Sequence, residues 1–500
     1  MMLFEESGIM DTKRNSVSQL SVMILLTIIT QLFILMKNSI VASKFGISTE
    51  LDAFNFANST GSFVYSFIGA GISTILMPNL ADESKKKSTN IFITIIYIIA
   101  FLILLIMFIF KKGVITILSG SNDNYFITVC SNIFIATLIA GFLSSFVGLV
   151  SGVLEYKGQF NRLRLVTLFT SVLLLILLLI ETNMSIYYYA VVVLVTAIIN
   201  LIINLYFLSK SGFQYKIEFD LKDKHFKLMM KLFGPVVLSQ GVYQLSLIID
   251  TMIASRLGVG RVSILTYANT VIGMVNVLVL SNITAFMYPK LIRGSKANTG
   301  QESLSNFILF MNSLMCLFVI LFLAVGKEGI SLLYERGNFT QENTKVVYIC
   351  AFIYILSLPT NAIRDLIYKY FYINNDTLSP FNNSLLISVL NISISIILST
   401  YIGLYGVVLG TVIASYLSLV FITIRFKKKF GIKFDKIGFV KENLKIIFIT
   451  LLSVLIFSLL QNMFIISNVF IHIIVYGLLL TGFYVALLLA SKSKVLKIKL

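Results

Sequence analysis

The sequence predicts an all-α polytopic membrane protein with 14 transmembrane helices, arranged as two six-helix lobes in parallel repeat plus a C-terminal helix pair. Three observations predict this fold: the composition, the spacing of the apolar segments and an internal repeat. Apolar residue types make up 57% of the 500 residues and charged types only 12%, whereas soluble domains have about 45–50% and about 25% respectively. Because such a chain cannot cover itself with polar surface, we expect most of its surface to face lipid.

Fourteen apolar segments, each bounded by polar residues, approach or exceed the roughly 20 residues that one bilayer crossing requires. The first segment is too long for the core of a signal peptide and is predicted to be a retained helix. The predicted spans are 18–43, 53–77, 91–110, 126–150, 164–181, 185–208, 234–255, 263–288, 303–325, 346–372, 382–400, 404–424, 445–462 and 467–490.

The distribution of basic residues predicts the orientation. An even number of spans places both termini on one side. If that side is cytoplasmic, 29 of the 40 lysines and arginines lie inside, 8 lie outside and 3 lie within spans, as the positive-inside rule requires. The net charge of +18 therefore follows from topology, and no nucleic-acid partner is needed to explain it.

Few residues could support catalysis or bind a structural metal. The three cysteines and the two histidines are far apart in sequence, and each cysteine lies in an apolar segment. No zinc or redox motif is formed, and no nucleophile and base occur together. We predict no catalytic residues and a non-enzymatic function.

An internal repeat relates spans 1 and 2 to spans 7 and 8. Three blocks recur at an offset of 211 or 212 residues: SIVASKFG at 39–46 as TMIASRLG at 251–258, 57–59 as 268–270, and 78–80 as 289–291. Six spans separate the copies, so the copies share one orientation. Parallel repeats are typical of transporters whose substrate path lies between the halves. We predict an N-terminal lobe at 1–210, a C-terminal lobe at 211–430 and a helix pair at 431–500.

Ionisable side chains within spans are costly and usually face a cavity or a partner. Asp250, in the sequence LSLIIDTMIAS, could bind a cation, carry a proton or pair with a basic residue. Lys37 could attract an anionic substrate or extend to the interface. In span 10, Asp365 and Lys369 are placed to pair at i,i+4, which leaves Arg364 for a cavity phosphate or for the interface.

Neutral polar residues also lie within the later spans. Asn391 and Ser395 are spaced i,i+4 in span 11, and Thr411 lies in span 12. By themselves, such residues more often form helix–helix hydrogen bonds than ligand sites. A ligand role becomes the better interpretation if Asp250 points toward them.

Several motifs resemble those of the MurJ/MviN family, the lipid II flippases. They are ILMKNSIVASKFGISTELDAFNFA, MPNLADE, LIIDTMIASRLGVGRVSILTYAN, LLYERGNFT and FYINNDTLSPF, the last leading to VLNISISIIL, and they follow the family's order. The resemblance implies the multidrug/oligosaccharidyl-lipid/polysaccharide exporter fold in the bacterial cytoplasmic membrane. It also implies that 431–500 forms a groove for the lipid tail of the substrate.

The resemblance carries the family's functional positions over unevenly. The Arg-Asp pair of helix 1 stands here as Lys37-Asn38, and the acid of Asp-Ala-Phe is kept as Asp52. In helix 8 the family's charged Asp-Arg-x-x-Glu begins at Asn269 and has lost all three charges. The expected substrate site comprises Lys37, Asn38, Asp52, Asn269, Arg364 and Lys369.

Some relatives bind sodium, and their ligands match Asp250, Asn391 with Ser395, and Thr411, with one carboxylate replaced by a hydroxyl. The resemblance thus implies a possible sodium or proton-coupling site, with no other cofactor. The expected partners are a lipid-linked oligosaccharide and the bilayer, with the protein a monomer.

The leading hypothesis is a flippase for undecaprenyl-pyrophosphate-linked saccharide, with lipid II as the substrate implied by the family. The alternative is another lipid-linked polysaccharide repeat unit of O-antigen or capsule type, because pyrophosphate recognition favours cationic partners that this chain has largely lost. A cation-coupled multidrug exporter and a membrane scaffold are the remaining hypotheses.

Overall fold

The computed structural model describes residues 2–80, 85–121, 123–157, 159–181, 183–281, 283–284, 287, 291, 294, 299–374, 376–463 and 468–497. Across these residues the chain is helical apart from short connections. The helices are α1 (Met2–Phe45), α2 (Thr49–Asn79), α3 (Lys86–Ile109), α4 (Lys111–Ser119), α5 (Asn124–Tyr156), α6 (Phe160–Ile180), α7 (Ile186–Lys210), α8 (Lys224–Arg256), α9 (Arg261–Val275), α10 (Gly300–Tyr334), α11 (Gln341–Ile355), α12 (Leu358–Ile373), α13 (Leu378–Ile402), α14 (Leu404–Phe430), α15 (Lys436–Met463) and α16 (Val469–Ala490).

Short polar side chains begin several of these helices. The side-chain oxygen of Ser48 accepts a hydrogen bond from the backbone N–H of Leu51. The same capping bond, which satisfies an otherwise unpaired amide of the first turn, is made by Asp123, Ser185, Asp223, Thr340 and Asn468. The connections between apolar segments therefore encode the helix starts.

Twelve helical segments within the described residues are long and apolar enough to cross a membrane. They confirm the predicted class, an all-helical protein with many spans, but not the count of 14. The predicted spans 53–77 and 234–255 fall on α2 and α8, which have 31 and 33 residues and are not among the twelve. The side chains of several residues in both helices lie outside the described part of the structure, so these two predicted spans are not tested.

The two copies of the repeat end their first helix in the same way. Helix α1 stops before Gly46, which has a φ of 58°, and α8 stops before Gly258, which has a φ of 118°. These glycines are equivalent in the repeat, and glycine adopts positive φ with little strain. The third repeated block cannot be compared, because Pro289 and Lys290 lie outside the described residues.

The chain forms two compact units, Met1–Val262 and Ser263–Leu500, which we call unit 1 and unit 2. Helix α8, which the repeat assigns to the C-terminal lobe, packs within unit 1. The division at residue 210 concerns the sequence repeat and stays a prediction, as does the separate role of 431–500.

Within unit 2, α15 and α16 pack on α10. Buried Ile320, Phe457, Tyr476 and Tyr484 form the centre of this core, and the hydroxyl of Tyr484 donates to the carbonyl oxygen of Ser313 at 3.0 Å. The opposite face of α15 carries an exposed apolar row at helical spacing, formed by Leu444, Phe448, Leu451, Leu455 and Leu459. Such a row is stable only against lipid or another apolar partner.

Candidate functional site

Helices α2 and α5 of unit 1 pack in parallel with their backbones in close contact. A Cβ atom at Gly148 would overlap the backbone of Gly69, and one at Gly141 would lie 2.8 Å from the carbonyl oxygen of Gly61. Small residues allow this approach inside a membrane domain.

A cavity of about 460 Å³ follows the α2–α5 contact. Small and hydroxyl-bearing residues predominate in its lining, which consists of Ser62, Tyr65, Ser66, Gly69, Ser73, Gly141, Ser144, Val147, Gly148 and Ser151. We call it the α2–α5 groove.

A second cavity of about 370 Å³ lies between α5, α6 and α7. Its polar lining is Ser144, Thr167, Thr170, Ser171, Thr196 and Asn200, and its apolar lining is Val147, Leu174, Val193 and Ala197. We call it the α5–α7 cleft. Ser144 and Val147 line both cavities, so the two adjoin.

The chemistry of both cavities is neutral. Among the described residues that line them, none is acidic or basic. Several hydroxyls donate within their own helix, as Ser62 does to the carbonyl of Asn58 at 2.6 Å and Ser144 to that of Ala140 at 2.8 Å. Their oxygen lone pairs can still accept hydrogen bonds, so the cavities suit a neutral polar ligand.

Lys37 and Asn38 lie on α1 of unit 1, and both are half-buried. The Lys37 ammonium lies 3.4 Å from the hydroxyl of Tyr189 and 6.0 Å from the centre of its ring. Tyr189 lies in the first turn of α7. Its ring also contacts that of Phe54, with the ring centroids 4.3 Å apart. The cation is therefore positioned by an aromatic side chain.

Asp52 is buried, with 3% of its surface exposed. Its carboxylate accepts a hydrogen bond of 2.5 Å from the backbone N–H of Gly260, in the turn after α8. Next to this turn, Ser255 and Arg256 both donate to the carbonyl oxygen of Ser119 at 3.1 Å. Asp52 thus helps to attach this end of α8 to other helices of unit 1.

The opposite end of α8 is also attached within unit 1. Lys87 and Asp220 form an ion pair of 3.0 Å, and Ser88 donates to Asp223 at 2.7 Å. The hydrogen bond from Lys87 holds the pKa of Asp220 below its usual range, and the amide of Phe226 does the same for the pKa of Asp223. The segment 211–223 is therefore fastened to the start of α3.

The predicted cation ligands divide between the two units. Asp250 belongs to unit 1 and is buried, with 5% of its surface exposed. In unit 2, Ser395 donates to Asn391 Oδ1 and to the carbonyl oxygen of Val407, both at 3.2 Å, and Thr411 donates to that carbonyl at 3.3 Å. The three unit 2 residues therefore lie together, and Ser395 links α13 to α14. The described residues contain no group of three or more histidine, cysteine, aspartate or glutamate side chains that could hold a metal ion.

The remaining predicted site residues lie in unit 2. Asn269 is exposed on α9, whereas Arg364 and Lys369 are half-buried on α12. The guanidinium of Arg364 lies 5.8 Å from the ring centre of Tyr368. Arg364 and Lys369 thus share one short helix.

Sequence reasoning missed the two neutral cavities. A signal was available, because Ser62, Ser66, Gly69 and Ser73 recur every three or four residues on one face of α2. Serine and glycine at this spacing are also typical of simple helix packing, so the pattern alone does not indicate a cavity.

The helices define a polytopic membrane protein that carries two neutral polar cavities among its spans. A model of the family described as lipid II flippase MurJ matches residues 41–479. The chain belongs to this MurJ family and is a multi-pass bacterial membrane protein, which confirms the resemblance drawn from its motifs.

Two relatives illustrate the distance within the family. The probable lipid II flippase MurJ of Rickettsia prowazekii is 23% identical over 414 residues, which cover 79% of this chain and 80% of the relative. That of Aquifex aeolicus is 24% identical over 459 residues, which cover 88% and 89%.

Solved structures show the same fold. A lipid II flippase MurJ in an inward closed conformation has a TM-score of 0.82 at 20% identity, covering 93% of this chain and 98% of that chain. An inward-facing MATE-family multidrug resistance transporter of the MOP superfamily has a TM-score of 0.65 at 15% identity, with coverage of 80% and 95%.

Proposed function

We propose that this chain translocates lipid II, the substrate in the names of its relatives, across the bacterial cytoplasmic membrane by alternating access. The family match over 41–479 carries this proposal. The two polar cavities within unit 1 support the proposal. A membrane carrier needs a polar site for the polar headgroup of its substrate.

Lys37 is the proposed contact for the pyrophosphate of the substrate. Its ammonium is half-buried and held beside Tyr189. Within unit 2, Arg364 and Lys369 are the proposed positive charges for substrate binding, and Asn38 in unit 1 and Asn269 in unit 2 are each proposed as neutral hydrogen-bonding groups. Asp52 has a different proposed role, because its carboxylate holds the turn after α8.

In the proposed topology α2 and α8 also cross the membrane, which gives 14 spans with both termini cytoplasmic. Their lengths of 31 and 33 residues exceed the roughly 20 residues that a crossing needs. The exposed apolar row of α15 would receive the lipid tail, and the protein would act as a monomer.

Asp250 is the proposed coupling residue, taking either a cation or a proton. A buried carboxylate within a span is costly unless it is paired, protonated or functional. Asn391, Ser395 and Thr411, which lie together in unit 2, are the proposed neutral ligands of that unit if the ion is sodium.

Alternating access would act on the attachments of α8. This helix is fastened within unit 1 at one end through Asp52 and Ser119 and at the other through Asp220 and Asp223. We propose that the bonds at one of these ends break when access changes sides.

The decisive test is complementation of a strain depleted of its lipid II flippase. The parent chain should restore growth, while Lys37→Ala and Asp250→Asn should reduce rescue at equal membrane expression. Lys112→Ala, which removes an exposed lysine of α4, is the matched control. No rescue by a well-expressed parent would contradict the lipid II assignment, and undiminished transport by Asp250→Asn, with and without an ion gradient, would contradict the coupling role.

A second candidate is the translocation of another lipid-linked repeat unit, of O-antigen or capsule type. The neutral lining of both cavities and the neutral Asn269 favour it, since arginine is suited to bidentate binding of phosphate. Rescue of a strain that lacks a repeat-unit flippase, without rescue of the lipid II strain, would decide for this candidate.

A further inference from the structure

The α5–α7 cleft presents polar side chains from three helices at regular spacing. Thr167 and Ser171 lie one turn apart on α6, and Thr196 and Asn200 lie one turn apart on α7, while Ser144 faces them from α5. Residues four apart share one face of a helix, so each helix turns its polar face into the same space.

An amide network fixes the orientation of this polar surface. The side-chain nitrogen of Asn200 donates to Thr170 Oγ1 at 3.0 Å, and that of Asn204 donates to Asn200 Oδ1 at 2.8 Å. Asn204 and Thr170 are 2% and 7% exposed, so the network is anchored in the interior of unit 1. A preorganised polar group binds a ligand with less loss of conformational freedom.

The hydroxyls of the cleft are oriented to accept hydrogen bonds. Ser171 donates to the carbonyl of Thr167 at 2.8 Å, and Thr196 donates to that of Val192 at 3.0 Å. Because each proton is used within its own helix, the remaining lone pairs are available to donors in the cleft.

The lining of the cleft suits only one of the three parts of a lipid-linked substrate, which are the pyrophosphate, the lipid tail and the sugar. None of the described lining residues carries a charge, so a pyrophosphate or a carboxylate would find no counter-ion there. A lipid tail would leave the hydroxyls and the amide against hydrocarbon, which is unfavourable. A sugar ring has donor hydroxyls at its rim and C–H groups on its faces, which match the polar row and the apolar Val147, Leu174 and Val193. The volume of about 370 Å³ lies within the range of small-molecule sites, about 300–1,000 Å³.

We propose that the α5–α7 cleft is a saccharide-binding subsite, which holds the sugar of the lipid-linked substrate by neutral hydrogen bonds. This inference rests on the proposed function and names how this chain recognises its substrate where charges are scarce. The adjoining α2–α5 groove, which shares Ser144 and Val147 with the cleft, extends the neutral surface for the rest of the headgroup.

The test compares undecaprenyl pyrophosphate with lipid II prepared without its peptide, so that the two lipids differ only in the saccharide. The full-length protein is placed in lipid nanodiscs, and its binding of lipid II and of undecaprenyl pyrophosphate is measured. The variants are Thr196→Val with Ser171→Ala, singly and together, and Asn200→Leu. Thr128→Val, which removes an exposed hydroxyl of α5 outside both cavities, is the matched control, and Thr196→Ser keeps the hydroxyl.

We expect the double variant to bind lipid II about tenfold more weakly, because two hydrogen bonds to the ligand are lost. Its binding of undecaprenyl pyrophosphate should equal that of the parent, and Thr196→Ser and Thr128→Val should bind both lipids normally. Equal weakening for both lipids, or no weakening for lipid II, would overturn the saccharide subsite.

The parent protein tests the underlying function separately. If it binds undecaprenyl pyrophosphate but gains nothing from the lipid II saccharide, both the lipid II assignment and the subsite are wrong. If the parent binds lipid II more tightly than undecaprenyl pyrophosphate and the cleft variants show the same difference between the two lipids, only the subsite is wrong. The unfolding temperature of each variant identifies any variant that fails to fold. If the double variant fails, the single variants Thr196→Val and Thr196→Ser are compared instead, because they differ little in size and only the serine keeps the hydroxyl.

Discussion

Two helix pairs in this protein are packed through glycine, but they use their serines in opposite ways. In unit 1, α2 and α5 run in parallel, with Gly69 against Gly148, and their serines line an open groove. In unit 2, α13 and α14 form an antiparallel hairpin that turns at Gly403. There Gly410 packs on Ser395, whose hydroxyl is fully buried and bonded across the pair.

The difference shows that a polar residue within a span acquires its role from its neighbours. Ser395 stays a predicted cation ligand, and in this structure its hydroxyl bonds to Asn391 and across the pair to Val407. Ser144 attracted no prediction, yet it is exposed in two adjoining cavities. The packing of α2–α5 leaves hydroxyls for a ligand, whereas that of α13–α14 uses its own to join helices.

The largest expected effect is that of Gly148→Val, which would separate α2 from α5. Overpacking costs typically about 1–3 kcal/mol and occasionally more, and here the added carbons meet backbone that has no side chain to move. We expect a large fall in the unfolding temperature in detergent. Gly113→Ala in α4, where a Cβ meets no atom within 4 Å, should be neutral or slightly stabilising. If Gly148→Val and Gly113→Ala changed the unfolding temperature equally, the close α2–α5 contact would not be what stabilises this pair.

Ser395→Ala should have a moderate effect, because it removes a buried hydroxyl that bridges α13 and α14. The expected loss of stability is about 1 kcal/mol, measured by thermal unfolding. If packing is its main role, the dependence of transport on sodium should match that of the parent. A selective loss of sodium dependence at unchanged stability would instead make Ser395 a cation ligand and reverse the comparison.

Asp376→Asn tests the ion pair at the end of the hairpin opposite Gly403. Asp376 lies 2.7 Å from Lys429. Burial alone raises the pKa of Asp376, but hydrogen bonds from Lys429 and Ser379 outweigh it and lower the pKa to about 2. Because the folded-state pKa is depressed, the stabilisation is present above about pH 4 and is lost as the pH falls towards 2.

The expected cost of Asp376→Asn at neutral pH is about 1 kcal/mol or less, since Lys429 is half-exposed. Unfolding temperatures of the parent and the variant should converge between pH 4 and pH 2. Lys428→Ala, one residue from Lys429 and exposed, is the control. A gap that stays constant with pH would exclude the ion pair as the cause.

The smallest effect should come from Tyr125→Phe, which removes the corresponding polar contact between the starts of α2 and α5. The Tyr125 hydroxyl donates to Glu50 at 2.7 Å, but the contact is exposed. The free energy of unfolding, measured by thermal denaturation, should fall by a few tenths of a kcal/mol, the range found for exposed polar pairs. A larger loss than that of Gly148→Val would mean that the α2–α5 pair depends on its polar end rather than on its backbone contact.

Apolar length predicted the helices well where it was the dominant signal. The segment 164–181 corresponds to α6 at Phe160–Ile180, because residues 165–180 carry no charge and such a run has few alternatives to a membrane helix. Helix α4 was missed, since Lys111 and Lys112 make its sequence resemble a loop. The segment 346–372, predicted as one span, lies within one candidate span, Gln341–Ile373. A turn at Leu356–Ser357 divides that span into α11 and α12, and Pro359 lies in the first turn of α12.

The candidate site was less predictable than the fold, because only charges and family motifs are conspicuous in so apolar a sequence. Lys37 and Asp250 were identified in this way. The hydroxyls of Thr196 and Ser171 were not, since the same residues commonly bond to their own helix, as these also do. Their importance depends on three helices meeting, which no single segment reveals.

The parallel arrangement of α2 and α5 also bears on how the protein is made. An antiparallel hairpin such as α13–α14 can close as soon as its second helix has been synthesised, because its contacts are local in sequence. Helix α2 must wait while α3 and α4 are produced before Gly148 can reach Gly69. During that interval its serine face lacks the partner that it has in the finished fold, so the segment that later lines the groove is packed only after α5 has been inserted.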